Sequence, residues 1–421
     1  MSEPEPEDLL VEIGTEELPP GALSSLSEAF RDQLAAQLDA HRIDHGDARA
    51  FATPRRLAVL VDAVAPTQRD DVQSRRGPAL AAAFNVAGEP TKAALGFARS
   101  CGVPVEALER EETDKGSWLS YRHRRAGQHT GTLLPGLIEA ALAALPIPKR
   151  MRWGVGEAEF VRPVHWVCVL LGSEPLPGRV LGVEIRGDSR GHRFHHPEAV
   201  PIEHPSRYGD ALRHAWVDVD FGARRASIRG QVEQLARKAG GTALIPDALL
   251  DEVTALCEWP AALLGSFDED FLVVPPEVLI ETMQKNQKYF PVLDQQGRLV
   301  ARFIAVSNIE SRQPDLVRAG NERVIRPRFA DAKFFWEQAL KQPLAARLEA
   351  LDTIVFQHKL GTLRAKSERI AALARHIARL LGDDPALAER AGLLAKCDLT
   401  TLMVGEFPSL QGVMGRYYAA Q

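Results

Sequence analysis

Cysteine is scarce in this chain. Cys101, Cys168, Cys257 and Cys397 are the only four in 421 residues, and no two form a CxxC pair. That spacing argues against a disulfide framework or a zinc knuckle and fits a reducing cytoplasm. No apolar run reaches the roughly 18 residues that a membrane span needs. The amino terminus, MSEPEPEDLL, is acidic and proline-bearing. A signal peptide starts basic and then turns apolar, so the reading is a cytoplasmic protein.

Strong positive charge is missing too. The formal net charge is -5, so any nucleic-acid contact must come from local basic patches rather than a global field. Signatures of self-contained nucleotide chemistry are also absent. A phosphate-cradling loop needs GxxxxGK[ST], and the nearest approach, GTLRAKS at 361–367, has Ala365 at the second glycine. GVGEAEF at 154–160 begins like a dinucleotide loop but has Glu159 where the third glycine belongs. Neither GxSxG nor HExxH occurs.

What is present suits two or three globular domains: 45% hydrophobic and 25% charged residues. In LLVEIGTEELPP at 9–20, Leu9, Val11 and Ile13 alternate, which predicts a strand with one buried face. Leu23, Leu26, Phe30, Leu34 and Leu38 then mark one stripe of a helix ending near His41. Glu16 and Glu17 precede that helix, where its dipole favours negative charge, so they read as architecture. TPRRLAVLV at 53–61 predicts a strand and RRGPAL at 75–80 a turn into a helix. Residues 151–172 are mixed and strand-rich, and 222–239 and 246–257 predict helices. A hairpin is expected at 288–308, around Asp294-Gln295-Gln296-Gly297. Helical periodicity from about 343 to 381 and again over 386–402 places a boundary near 340–350.

His192, His195, His196 and His204 form the one histidine cluster; their spacing compels no zinc site and fits a hydrogen-bonded loop. Two basic segments point to phosphate contact. QKNQKYF at 284–290 sets Lys285 and Lys288 among aromatics, and 320–336 carries Arg323, Arg326 and Arg328. On a helix Arg323 and Arg326 share a face, whereas Pro327 strains a continuous helix. Residues 310–333 hold six basic and four acidic groups, so a salt-bridged structural helix competes with an RNA contact.

Taken in order, VEIGTEELPP, TPRRLAV, RRGPA, MRWG with FVRPVHW, GHRF, ETMQKNQKYFPV, GNERVIRPRFADAKFFW, KLGTL and MVGEFPSLQGVMGRYYA run from residue 11 to residue 419. This series resembles the beta subunit of the bacterial-type heteromeric glycyl-tRNA synthetase. The resemblance implies a class II glycine–tRNA ligase in an alpha2 beta2 heterotetramer. In it the alpha subunit binds ATP, magnesium and glycine, and this chain engages tRNA for glycine without holding a cofactor. It also implies an α+β fold. Residues 1–345, with a possible subdivision near 150, are similar to the B-domain modules of phenylalanyl-tRNA synthetase beta subunits. Residues 346–421 begin a helical domain related to HD phosphohydrolases. There Lys366 and Cys397-Asp398 stand at the metal-ligand positions, and lysine cannot ligate metal while protonated. No catalytic or metal-binding residue is therefore expected, and Lys285, Lys288, Arg323, Arg326 and Arg328 are the expected tRNA contacts. Family chains continue well past MGRYYAAQ, so a C-terminally truncated chain without its anticodon-binding region is expected. The competing readings are an HD-type phosphohydrolase or editing deacylase, and a purely structural dimerisation module.

Overall fold

A computed structural model describes residues 5–85, 88–113 and 116–421, so the first four residues of the acidic amino terminus lie outside it. The architecture is α+β. Two compact units separate at Ala215 and Trp216. The boundary expected near 345 thus falls inside the second unit and the subdivision near 150 inside the first. Among the described residues no helix is long and apolar enough to cross a membrane.

The first unit is built on a seven-stranded sheet. Its strand order is Arg179–Val180, Val183–Arg186, Val164–Leu171, Glu7–Thr15, Arg56–Val64, Ala48–Thr53, with Glu174–Pro175 pairing beside Val164–Leu171. Only Val183–Arg186 joins its neighbour in parallel. Glu7–Thr15 is central, and Leu9, Leu10, Val11, Glu12 and Ile13 are all fully buried. Burial on both faces corrects the half-buried strand expected from the alternation; the nearly unbroken apolar run is what such a strand requires. The helix Leu23–Ala40 buries the stripe expected of it and covers the strands at 48–64. TPRRLAVLV is split between two strands, Ala48–Thr53 and Arg56–Val64, that turn at Pro54-Arg55. RRGPAL is the end of a strand, Asp71–Ala79, before the short helix Leu80–Ala83. With Gly116–Arg125 and Glu109–Thr113 it forms a small antiparallel sheet over its own core of Ala83, Ala94 and Leu119.

The second unit holds a four-stranded antiparallel sheet, ordered Thr242–Ala243, Phe290–Leu293, Leu299–Ser307, Ala261–Ser266. Phe290–Leu293 and Leu299–Ser307 are the expected hairpin. Neighbouring side chains point to opposite faces, so Ile304 packs with Ile228, Val232 and Leu250 while Phe303 packs with Phe329 and Trp336. Each such fully buried side chain contributes about 1.5–3 kcal/mol. The core around Phe329 also takes Leu351, Cys397, Met403, Met414 and Tyr418, so residues on both sides of 345 share it. The stretch 343–362 is short 3-10 turns and two short strands rather than helix. Leu363–Leu381 ends on Gly382 in the left-handed region, and Pro385–Leu394 stops well before residue 402.

Candidate functional site

The helix Pro314–Leu340 runs unbroken through Pro327, contrary to the strain expected there. Pro327 is exposed, and its neighbours Ile325, Phe329, Ala332 and Trp336 bind the helix to the core on one face. Tertiary packing thus outweighs the lost hydrogen bond. Arg323, Arg326 and Arg328 are all exposed, and none forms an ion pair among the described residues. Arg318 on the same helix, by contrast, pairs with Asp315 at 3.1 Å.

Arg323 and Arg326 share a face, whereas Arg328 turns aside into a pit of about 90 Å³ lined also by Asn286, Asp331 and Glu406. Asn286 closes a π-helical turn, Thr282–Asn286, so the two basic segments of the sequence meet at this pit. Lys285 stands beside it, 3.5 Å from Glu281. Lys288 does not join the group. It occupies a left-handed backbone conformation, φ 59°, and its Nζ lies 2.8 Å from Glu252.

The three degenerate metal positions stay apart in role. Lys366 places its Nζ 3.8 Å over the Phe356 ring. Cys397 is buried, and desolvation pushes its thiol pKa up. Asp398 is buried, and its Oδ2 accepts from the backbone N–H groups of Gly412 at 2.6 Å and Gly415 at 3.1 Å. Among the described residues no group of three or more His, Cys, Asp or Glu side chains is placed to hold a metal ion. An ammonium, a protonated thiol and one carboxylate held by amides do not fit a divalent cation.

The first unit holds a convergence that sequence reasoning missed. Glu12, fully buried, accepts hydrogen bonds from Trp166 Nε1, from Ser189 Oγ at 2.5 Å and from Tyr208 OH at 2.5 Å. Arg56, also fully buried, lies 3.6 Å from Glu12 and donates to Ser189 Oγ and to the Arg190 carbonyl. Burial, then the Glu12 charge, pushes the Tyr208 pKa well above 10. Gly14 is required here because a Cβ would lie 1.8 Å from the Trp166 indole.

At the end of the same strand, Glu16 binds His165 Nε2 at 2.9 Å and Arg193 at 3.2 Å. Burial opposes ionisation of Glu16, but these two hydrogen bonds outweigh it and hold its pKa below 4.5. Arg162 donates to the Glu17 carbonyl at 3.0 Å, and Arg55 lies over Trp166 at 5.5 Å. VEIGTEELPP, TPRRLAV, FVRPVHW and GHRF therefore meet at one end of the central strands. Each string alone gave no sign of this; the glutamates of VEIGTEELPP against the arginines and histidines of the other three were the available hint.

A family described as "Glycyl-tRNA synthetase beta subunit" matches residues 9–421. Relatives from Chromohalobacter salexigens, Hahella chejuensis and Pseudomonas aeruginosa, each described as "Glycine--tRNA ligase beta subunit", are 54%, 52% and 50% identical over 98% of the chain. The chain spans 60% of the length of these relatives. The match takes in the core strands, the cluster at their end and the arginine helix, and the chain belongs to the glycyl-tRNA synthetase beta-subunit family.

Proposed function

We propose that this chain binds and positions tRNA for glycine while a separate alpha subunit carries out ATP-dependent glycylation, in a cytoplasmic heterotetramer with two copies of each. The observation that carries the reading is the set of three exposed, unpaired arginines on the helix Pro314–Leu340, within a family that is named a ligase subunit. An unpaired guanidinium fits a phosphate oxygen pair bidentately and releases counterions on binding. RNA recognition then rests on phosphate and 2′-hydroxyl contacts more than on base edges. On this reading ATP and magnesium belong to the alpha subunit, and the chain contributes positioning, whose loss can cost much of a rate.

Residues 1–345 correspond to B-domain modules and residues 346–421 to the start of a degenerate HD-like domain; Lys366 over Phe356 and Asp398 on backbone amides support the word degenerate. The test is filter binding of the chain to tRNA for glycine across a salt series, with and without the alpha subunit. Replacing Arg323, Arg326 and Arg328 together by Glu should weaken binding and flatten the salt dependence by about one unit of slope per lost contact. Unchanged affinity at every salt concentration would remove these residues from the interface. Consumption of ATP by the isolated chain with glycine would overturn the division of labour.

A further inference from the structure

The pit beside the helix Pro314–Leu340 has an apolar floor and a polar rim. On the floor Ala332 and Phe407 are buried and Phe335 is half-buried. The rim is formed by Asn286, Arg328, Asp331 and Glu406, all exposed. Among the described residues the side chains of these four form no hydrogen bond or ion pair. Arg328 and Asp331 stand three apart on one helix, a spacing at which opposite charges pair, and still remain separate. Asp315 and Arg318, also three apart on that helix, do pair. Asn286 reaches the rim from the π-helical turn Thr282–Asn286, an irregularity that is frequent at functional sites. Two residues on, Lys288 holds a left-handed backbone conformation, a form of strain that clusters at such sites. Four polar groups thus converge on one opening, and the fold supplies none of them with a partner.

We infer that this pit takes one unstacked guanine of the bound RNA, so that the chain reads a base as well as a backbone. The inference rests on the proposed tRNA-binding function and deepens it. Asp331 and Glu406 repel a phosphate, so the pit is no phosphate socket. Ionised carboxylates accept hydrogen bonds and cannot donate them. Guanine alone among the common bases sets two donors side by side, N1–H and N2–H, to match the two oxygens of a carboxylate. Adenine and cytosine place a ring acceptor next to the amino group, and uracil flanks its single N–H with two carbonyl oxygens. Each of these turns a lone pair toward the carboxylate. The Asn286 side-chain amide donates to guanine O6, and Phe335 with Phe407 gives the flat ring an apolar seat, as unpaired RNA bases require. Arg328 takes the phosphate of the same nucleotide at the mouth, while Arg323 and Arg326 hold neighbouring phosphates. A lysine or arginine of a protein partner would suit the carboxylates but would meet Arg328 at the same rim.

The experiment measures binding of the chain to oligouridylates of equal length that carry one central guanosine or one central adenosine, and separately to tRNA for glycine. Wild type should prefer the guanosine oligomer at least about fivefold. Central inosine, which keeps N1–H but lacks the N2 amino group, should fall between the two. Asp331→Asn combined with Glu406→Gln keeps the size of both side chains and should erase the preference. The melting temperature should not move, since both positions are exposed. Equal affinity of wild type for the guanosine and adenosine oligomers, or failure to bind either, overturns the inference. So does a guanosine preference that survives in the double variant. A chain that binds no tRNA for glycine refutes the functional reading itself, whereas full tRNA affinity with no preference among the oligomers refutes the guanine site alone.

Discussion

In residues 1–215, Arg56 is fully buried beside Glu12, and Arg193 is tethered at the surface by Glu16. In residues 216–421, Arg323, Arg326 and Arg328 stand exposed and form no ion pair among the described residues. The same side chain serves two ends. Where a carboxylate is supplied from within the fold, the guanidinium fixes geometry and is electrostatically quenched. Where none is supplied, its charge remains available to an external anion.

The comparison breaks most visibly at Glu12. Glu12→Gln leaves Arg56 buried without its counter-charge and should lower unfolding stability by about 3–5 kcal/mol, read from urea midpoints. A loss below about 1 kcal/mol would mean that the hydroxyl and carbonyl partners alone sustain Arg56. Charge reversal of the three helix arginines should, in contrast, move stability by no more than about 0.5 kcal/mol per substitution while it weakens tRNA binding. A large loss of stability would place them in the fold after all.

The smallest effect concerns Glu16. Its folded pKa is depressed, so the stabilisation it adds is fully present above 4.5 and is lost as pH falls through the lower folded value. Glu16 is 45% exposed, so solvent screening limits the gain to under about 1 kcal/mol. Urea midpoints of wild type and Glu16→Gln should differ slightly near pH 7 and converge in acid. A gap that stays constant down to pH 3, about a unit below a free carboxyl, would deny the link.

Local periodicity made much of the fold legible. The stripe from Leu23 to Leu38 buries as its spacing requires, because one helix face meets one core. The hairpin around Asp294 was legible for the same reason: its turn chemistry is local. Glu12 was not legible, since its hydrogen-bond partners lie 154, 177 and 196 residues away, and no window along the chain contains them. Glu16 was assigned to a helix entry, but its partners come from the strand at 164–171 and from the loop after Arg190. The basic segments were found by composition, yet only tertiary structure shows that Lys288 is drawn to Glu252 while Arg323 is left open.

The helix Val413–Ala420 interlocks with earlier parts of its unit. Tyr418 stacks on Trp336 at 5.5 Å, and Tyr417 and Arg416 both grip Glu277. A cloning boundary drawn at 345 would therefore yield two halves, each with raw apolar surface where the other had been. The unit is to be expressed as one piece or not at all.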